Sequence, residues 1–523
     1  MNKILLYFHT LKHIKFIQLY YQVYYRFLSR FFKTKLDIYF KTPLDLDFTE
    51  GITAISSFSS SSRFSFLNLE QKFETIDWNF SKFGKLWTYN LNYFDFLNQK
   101  NITKQEGLQL IEEFCAAKET HKDGYEPYPI SLRGINWVKF LSQHGINNHE
   151  INQQLHNDFL RLNSKLEYHL LANHLIENAF SLLFGAYYFK DEKFYKKAKK
   201  ILRSQLKEQI LKDGGHYELS PMYHCIILHR ILDSYNLVRN NHNWHNDELE
   251  QLLKESAENM LGWLKAIQFK GGDLPQINDT TIGIAPEPEI LFDYAQNLDL
   301  SPKKNILKES GYRKIKTQNL ELLYDVGQIA PSYQPGHSHA DSLQVVVYAQ
   351  GIPLIVDTGI STYEKNERRQ LERSTASHNT VCINNQNSSL VWSGFRVAKR
   401  AKVSILEDGI DKIIASHNGY RSLGITCKRE VETTDGLLRI TDTVKGSGNN
   451  DLIQGHLHLH PDVDIQFKNN LVVFNKKIQL RFPKQTTLEL KNYYFCSGFN
   501  DLVLSKKIIY TFTENITFTI SPL

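Results

Sequence analysis

The chain has 523 residues, 41% of them hydrophobic and 23% charged, which is the composition of a globular protein with room for two or three domains. Its formal net charge of +6 and pI near 8.7 are too low for the concentrated basic surface of a nucleic-acid-binding protein. Five scattered cysteines without a CxxC pair argue against a disulfide framework and a zinc–thiolate site, and favour free thiols in a reducing compartment.

The first segment, residues 1–36, is basic and aromatic and contains no acidic residue. Charges interrupt its apolar stretches and no small-residue cleavage site follows, so it predicts neither a signal peptide nor a membrane span of about 20 apolar residues. We expect a helix that docks on the body of a cytoplasmic protein. The alternative is peripheral contact of residues 1–36 with an anionic inner membrane. A serine-rich stretch at 56–62 ends this leader and linker, residues 1–62.

The next part of the chain, from about Leu86 to about Leu300, has helical apolar periodicity, with short polar or glycine-containing turns between the segments. The predicted helices are 107–117, 173–189, 196–210, 221–238 and 249–267. Successive helical hairpins of this kind form a bundle, a solenoid or a toroid. We assign residues 63–305 to this helical domain.

After about Tyr312 the apolar residues alternate with period two, between boundaries rich in Gly, Asn and Asp. The predicted strands are 343–349, 352–356, 380–383, 413–417, 424–431, 437–443 and 452–460. This pattern is typical of a large antiparallel β-sandwich, which we place at residues 306–523. Helices followed by strands indicate two domains, and a cleft between them is the expected ligand site.

Two polar clusters lie in the helical part. Residues 173–178 begin a predicted helix, where an asparagine cap explains the polar residues as well as a site does. Residues 213–224 form a glycine-rich loop that ends at Pro221, a favoured first helical residue, so Tyr223 lies in the first turn and Glu218 just before it. Polar and aromatic groups at the start of a helix indicate a functional site, in which Glu218 is a candidate substrate-binding residue.

A third cluster lies at the start of the predicted sandwich, where His337 and His339 occupy a short loop. Asp357 ends one apolar strand and His378 begins another. Two histidines and an aspartate at neighbouring strand ends are a credible ligand set for a first-row metal such as zinc. Ordinary buried histidines are the alternative.

Further candidates are residues suited to stacking on sugar rings or to pairing with carboxylates. They are Tyr125, Tyr128, Arg133, Asn136 and Trp137, and packing in the core explains them equally well. Arg368, Arg369 and Arg373 are typical of a solvated charge run, although Arg373 is close enough to His378 in the chain to contact an acidic glycan.

Five strings, in this order along the chain, resemble those of heparinase II/III family proteins. They are WTYNLNYFD at 87–95, RGINW at 133–137, the pair Asn173-His174, GHSHAD at 336–341 and SHNT at 377–380. The resemblance covers about residues 87–392 and is greatest to members that lack signal peptides and accompany bacterial surface-polysaccharide synthesis. It implies an incomplete (α/α) toroid followed by an antiparallel β-sandwich.

The resemblance also implies an activity, that of a polysaccharide lyase cleaving glycans that contain uronic acid by β-elimination. By similarity, the catalytic residues are Asn173, His174, Tyr223 and His337. A structural zinc ion would be bound by His339, Asp357 and His378, which would fix the loop that carries His337.

This chemistry accounts for the residue types. The C5 proton of a uronate becomes acidic only when the neighbouring carboxylate is neutralised, which we expect Asn173 and His174 to do. Tyr223 can act as base and then as acid if its phenolate is favoured, and His337 is the alternative or complementary proton carrier.

Three other functions remain open from the sequence. A uronosyl C5-epimerase would remove the same proton, and a non-catalytic glycan-binding protein would keep the same motifs. A hydrolase requires two opposed carboxylates, and the sequence offers no convincing pair.

Overall fold

The computed structural model describes residues 3–28, 40–59, 62–242, 244 and 247–523. Within this part of the chain a helical region is followed by an antiparallel β region, as predicted. Residues 29–39 of the leader and linker, and residues 60–61 of the serine-rich stretch, lie outside the described residues.

Two short helices, α1 (Lys3–Leu11) and α2 (Phe16–Val23), begin the described chain, and a π-helical turn, Tyr24–Leu28, continues α2. The Tyr7 ring of α1 packs edge-on against Trp392 of the β region, at 5.1 Å between centroids. Gln18 of α2 donates a hydrogen bond to the Leu170 carbonyl of the helical region at 3.2 Å. The leader therefore docks on the protein's own body and contacts both regions. None of the helices in the described ranges is long and apolar enough to span a membrane.

The helical region starts after a small sheet of β1 (Phe58–Ser59), β2 (Arg63–Phe66) and β3 (Leu69–Lys72). Its helices are α3 (Lys85–Tyr93), α4 (Lys104–Ala116), α5 (Pro127–Gln143), α6 (His149–Ser164), α7 (Ala172–Phe189), α8 (Glu192–Gln209), α9 (Pro221–Asn240), α10 (Asp247–Ile267) and α11 (Pro288–Asn297). Each of the five predicted helices is present, with ends shifted by a few residues.

These helices form two layers. The odd-numbered helices α3, α5, α7, α9 and α11 contact one another in chain order, while α4 contacts α6 and α8 contacts α10. Helix α7 is apolar on nearly all sides and almost wholly buried, as an inner helix must be. Helix α8 buries one apolar stripe and exposes its lysines, as an outer helix should. Alternation of inner and outer helices is the arrangement of an (α/α) toroid.

The β region contains β4 (Tyr312–Lys316), β5 (Leu320–Asp325), β6 (Val345–Ala349), β7 (Ile352–Ile355), β8 (Val381–Ile383), β9 (Val391–Trp392), β10 (Arg396–Val397), β11 (Val403–Asp408), β12 (Lys412–His417), β13 (Thr426–Thr434), β14 (Leu437–Lys445), β15 (Ile453–His458), β16 (Ile465–Lys468), β17 (Leu471–Phe474), β18 (Ile478–Arg481), β19 (Thr487–Gly498), β20 (Asp501–Phe512) and β21 (Asn515–Pro522). One short helix, α12 (Glu367–Glu372), interrupts them.

The strands build a sandwich. An eight-stranded antiparallel sheet, β11-β12-β13-β14-β21-β18-β17-β16, packs against two four-stranded sheets, β4-β5-β6-β7 and β19-β20-β15-β8. A bridge between Ile355 and Leu459 joins the two smaller sheets. Strand β14 buries every second residue, which is the alternation that the sequence predicts for a sheet with one face in the core.

Candidate active site

Three inner helices begin at the same end of the toroid. The first turns of α5, α7 and α9 carry Tyr128, His174 and Tyr223. The Tyr128 and His174 rings are 4.8 Å apart, and the Tyr223 ring lies 3.9 Å from that of His337, which comes from the sandwich. Helix N-termini carry partial positive charge, so this junction of the two domains favours an anion.

Asn173 does not cap its helix. Its backbone N–H and its side-chain amide both donate to the buried Glu218 carboxylate at 2.9 Å. Its Nδ2 also lies 3.5 Å from Nε2 of His337. The cap alternative is therefore wrong, because Glu218 serves the start of α7 while the Asn173 amide faces the histidine of the sandwich.

His337 is held by Asp279, whose carboxylate lies 2.8 Å from its Nδ1. The same carboxylate receives a bidentate pair from Arg369 at 2.6 Å and contacts Nε2 of His339 at 2.8 Å. Although burial opposes its charge, Arg369 and the two histidines hold the pKa of Asp279 well below its usual value. The ionised carboxylate orients the His337 ring through Nδ1, and Nε2 on the other side of the ring lies 3.4 Å from the Glu218 carboxylate and 3.5 Å from the Asn173 amide.

Asp279 is not among the predicted site residues, and the prediction for Arg369 is wrong. Arg369 is fully buried and is not part of a solvated charge run. The ion pair of Asp279 with Arg369 has only a weak signal in the sequence. Neither the Asn-Asp-Thr-Thr string around Asp279 nor the Arg-Arg pair that contains Arg369 predicts a partner 90 residues away. Only the fold brings them together.

The surroundings of Tyr223 do not favour the ionised form of its hydroxyl. Burial raises the pKa of its hydroxyl, and the nearby Arg369 charge offsets this only in part. Its oxygen accepts a hydrogen bond from the Tyr363 hydroxyl at 3.3 Å. The protonated phenol therefore suits an acid better than a first base.

His174 lies 3.0 Å from Glu167 through its Nδ1. Burial favours the neutral ring, but the Glu167 carboxylate outweighs it and raises the pKa of His174 above 6.5. The side chain keeps 33% of its surface exposed, so a positive charge is available in the cleft.

The loops that support the site contain left-handed backbone at residues other than glycine. Leu171 and Ala172, with φ of 61° and 53°, come directly before Asn173, and Leu219, with φ of 57°, follows Glu218. Asn278, with φ of 53°, precedes Asp279 and donates to the Leu219 carbonyl at 3.0 Å. Such conformations are costly and concentrate where a site requires a particular geometry.

The predicted substrate-binding residues separate into two groups. Tyr128 and Glu218 lie in the site, as described above. Arg133, Asn136 and Trp137 lie in the toroid core: Arg133 is 0% exposed and pairs with Asp158 at 2.6 Å, and Trp137 packs on Phe94 and Phe114. These three cannot contact a glycan, because helix α5 directs their side chains into the packed core between the helices.

The two remaining predicted residues are Tyr125 and Arg373. The Tyr125 ring lies under the Arg161 guanidinium at 4.2 Å, and its hydroxyl accepts from Gln154. These contacts place it beside Arg161, and its role in substrate binding stays a prediction. Arg373 is fully buried and donates to the carbonyls of Gly394 and Ser338. It supports the loop that carries His337 and does not face solvent.

The predicted zinc ligands lie together in part. The His339 and His378 rings are 5.2 Å apart, and Nδ1 of His339 and Nε2 of His378 have no hydrogen-bond partner among the described residues. Asp357 contacts Nδ1 of His378 at 2.8 Å. The buried Asp341 and Asp325 also act on His378 electrostatically. The described parts of the chain contain no group of three or more His, Cys, Asp and Glu already arranged around a metal position. The donor types and the two free ring nitrogens fit zinc, and Asp357, the third predicted ligand, contacts the ring of one of these histidines.

Comparison with known proteins finds two family models that match successive parts of the chain. Residues 138–308 match the family model described as Heparinase II/III N-terminus, and residues 300–521 match Heparinase II/III-like, C-terminal. A heparin-sulfate lyase from Bacteroides stercoris is 23% identical over 252 residues, which are 42% of this chain and 37% of that protein. The match therefore spans little more than a third of this curated relative.

Solved structures show the same fold. A heparinase III crystal structure has a TM-score of 0.66 at 15% identity, over 87% of this chain and 80% of that one. A heparan sulfate lyase from Pedobacter heparinus has a TM-score of 0.57 at 15% identity, over 97% and 88% of the two chains. Both family models together match most of the sequence, and the architecture is that of an (α/α) toroid with a β-sandwich: the chain belongs to the heparinase II/III family.

Proposed function

We propose that the protein is a polysaccharide lyase that cleaves glycans containing uronic acid by β-elimination. The observation that carries the proposal is the meeting of Asn173, His174, Tyr223 and His337 at the N-termini of the inner helices. These groups supply the positive field, the amide donor, the base and the acid that the reaction requires.

The first requirement is to neutralise the uronate carboxylate, because its charge opposes loss of the neighbouring C5 proton. The His174 imidazolium and the helix N-termini provide positive charge, and the Asn173 amide provides a hydrogen-bond donor. Charge that develops on the carboxylate as the C5 proton leaves is stabilised by the same groups, which are already in place.

The second requirement is a base. Nε2 of His337 accepts the C5 proton, while Asp279 stabilises the imidazolium that forms. The pair of C5 electrons then forms the C4–C5 double bond, and the C4–O bond breaks.

The third requirement is an acid for the leaving glycosidic oxygen. The protonated hydroxyl of Tyr223 suits this role, since burial raises its pKa and keeps the proton on the oxygen at neutral pH. After each turnover, His337 releases its extra proton to water and the Tyr223 phenolate takes up a proton from water.

The contact between His337 and Tyr223 favours a lyase over an epimerase. An epimerase returns a proton to the opposite face of C5 and requires proton carriers on both sides of the sugar. Here the two rings are 3.9 Å apart, so both would reach a bound sugar from the same direction. A non-catalytic glycan-binding protein would have no use for a phenol and an imidazole held in this way.

The proposal is tested with a panel of acidic polysaccharides, including heparan sulfate, chondroitin sulfate, alginate and the organism's own surface polysaccharide. A lyase produces shorter chains with the ultraviolet absorbance of an unsaturated uronate, and mass spectrometry finds dehydrated fragments. Hydrated fragments mean hydrolysis, and solvent deuterium at C5 without cleavage means epimerisation. Binding without either product means a glycan-binding protein.

We further propose that the substrate is a bacterial surface polysaccharide and that the protein acts in the cytoplasm. The family resemblance supports the first point, and five free cysteines, four of them buried, suit a reducing compartment. Cell fractionation tests the location, and activity on the organism's own polysaccharide in the panel above tests the substrate.

Zinc is part of the proposal as a structural ion held by His339, Asp357 and His378. The two unpartnered ring nitrogens and the surrounding buried carboxylates support it, because buried negative charge is costly without a cation. When bound, such an ion would stabilise the loop between His337 and Asp341, and it would take no proton in the reaction.

A further inference from the structure

Helix α2 turns its apolar stripe away from the protein. Phe16, Leu19, Val23 and Phe27 follow one another at helical spacings of three and four residues, and all of them are exposed, with Phe16 at 82%. In α1, Phe8 and Leu11 are exposed in the same way. A helix that only docks on its own protein buries this stripe, so the arrangement is the reverse of the usual one.

The opposite face of α2 explains why the stripe cannot turn inward. Gln18 is buried and donates to the Leu170 carbonyl, and the Tyr25 hydroxyl donates to the Leu166 carbonyl at 2.6 Å. The Tyr21 ring stacks on Tyr168 at 4.7 Å between centroids. These contacts fix the rotation of the helix.

A basic rim lies beside α1, and part of it comes from a distant segment of the chain. Lys12 follows α1, while Lys399 and Arg421 come from sandwich loops. Burial and the charges of these three residues lower the pKa of His9 in α1. Residues 1–36 contain no acidic side chain. Arg396 lies over the rings of Tyr7 and Trp392 and adds a fourth cation.

We propose that α1 and α2, with this basic rim, bind the surface of an anionic phospholipid bilayer and lie in the plane of its interface. Aromatic and aliphatic side chains gain free energy in the acyl boundary, and the cations are attracted to acidic headgroups. A hydrated polyanionic glycan would use the cations but would leave Phe16, Leu19 and Val23 in water. The bilayer would then lie beside the loop that α2 holds in front of His174.

The test is sedimentation of the full chain with vesicles of phosphatidylglycerol and phosphatidylcholine, compared with phosphatidylcholine alone. We expect binding to the acidic vesicles and much weaker binding to the neutral ones. The variant Phe16→Ser/Leu19→Ser should bind at least about tenfold more weakly, because two apolar anchors are lost. The variant Lys12→Gln/Lys399→Gln should bind acidic vesicles about thirtyfold more weakly, since each basic residue near the surface is worth about fivefold.

The control is Ile306→Ser/Ile410→Ser, which removes two apolar side chains that are 80% and 90% exposed elsewhere on the surface. It should bind vesicles like the unchanged protein, and all variants should melt alike because the substituted side chains are exposed. Three results would overturn the proposal: no sedimentation with acidic vesicles, an equal loss in the isoleucine control, or full binding by the serine variant of α2. The last result, together with loss in the lysine variant, would mean that charge alone holds the protein on the vesicles and that the apolar stripe is not the contact.

Discussion

Asp279 connects most of the polar contacts of the site. Its two carboxylate oxygens are shared among His337, His339 and the Arg369 guanidinium. All of the contacts lie in the interior, where an unpaired charge is costly. The side chain therefore orients the proposed base and at the same time joins the segment before α11 to helix α12 of the β region.

Removing one charge of this pair should destabilise the protein more than removing both. Asp279→Asn leaves the Arg369 guanidinium buried without its counter-charge, at a cost of about 3–5 kcal/mol. The double variant Asp279→Asn/Arg369→Met should recover part of this free energy of unfolding. Denaturant unfolding of the two single variants and the double variant gives the coupling. Additive losses would show that the charges do not depend on each other.

Tyr223→Phe should lower kcat by about 10²–10⁴-fold while KM stays within about twofold, because only the proton-donating oxygen is lost and the ring still packs. Initial rates on a cleaved acidic glycan measure this. Tyr235→Phe is the control, since Tyr235 lies near the other end of the same helix α9. If Tyr223→Phe turns over like the unchanged protein, Tyr223 has no role in the reaction.

The charge of His174 predicts a pH dependence of substrate binding. Its pKa is raised in the folded protein, so the pair with Glu167 stabilises the fold fully below the ordinary value of about 6.5. That contribution is lost as the pH rises through the raised pKa. KM for an acidic glycan should therefore increase over the same range, and this increase should be absent in His174→Gln.

Glu167→Gln supplies the matched control for this prediction. Without the carboxylate the His174 pKa falls, so the increase in KM should move to lower pH. An identical pH profile in all three proteins would remove His174 from substrate binding. His174→Ala and Asn173→Ala should also lower turnover strongly, and a change in melting alone would favour a purely structural role.

The sequence could name the candidate catalytic residues, but it could not tell which polar groups face the cleft. Asn173, His174, Tyr223 and His337 meet as the family resemblance implies. Arg133 and Trp137 lie on an inner helix that is buried on nearly every side, where periodicity does not distinguish the cleft from the core. Asp279 acquires its role through partners distant in the chain, and the left-handed Leu171 and Leu219 have no sequence signal.

Helix α2 holds the loop that precedes α7, and this loop carries Glu167. The Gln18 side chain satisfies the Leu170 carbonyl, directly before the strained Leu171 and Ala172. In Gln18→Leu this half-buried carbonyl loses its donor, at a local cost of about 1 kcal/mol. We expect kcat to fall by about tenfold as the His174 and Asn173 positions shift, with a smaller change in KM.

Gln22→Leu is the control for this clamp, because Gln22 is exposed on the same helix. Rates of the two variants are compared over a range of pH, since a displaced Glu167 would also move the His174 titration. Unchanged kcat and an unchanged profile in Gln18→Leu would mean that α2 plays no part in positioning the site.

Helices and strands were predictable where their periodicity is strong. The amphipathic α8 and α10 and the alternating β12 and β14 were found within a few residues. Helix α5 was not predicted, because an inner helix of the toroid is apolar and small on many sides and has no clear stripe. The final strands, β16–β21, were not predicted either.

The two domains contact each other through side chains that come from several different elements. Asn278, in the segment between α10 and α11, donates to the Leu219 carbonyl, and its oxygen accepts from the His339 backbone. Ser220, the cap of α9, donates to the Asp279 carbonyl at 2.7 Å. The start of α9 and the histidine loop of the sandwich are thereby fixed to the same short segment, so a change inside the sandwich can reach Tyr223.

Zinc tests this connection between the sandwich and the site. Protein purified without metal-affinity resin should contain about one zinc ion per chain, bound by His339, Asp357 and His378. Removing the ion with a chelator should lower Tm and reduce activity, because metal binding stabilises only the folded loop, and added zinc should restore both. His339→Ala should lose the zinc, whereas His456→Ala, which removes another buried histidine of the sandwich, should keep it. Metal-free protein with unchanged Tm, or zinc retained in His339→Ala, would show that these residues are ordinary buried side chains.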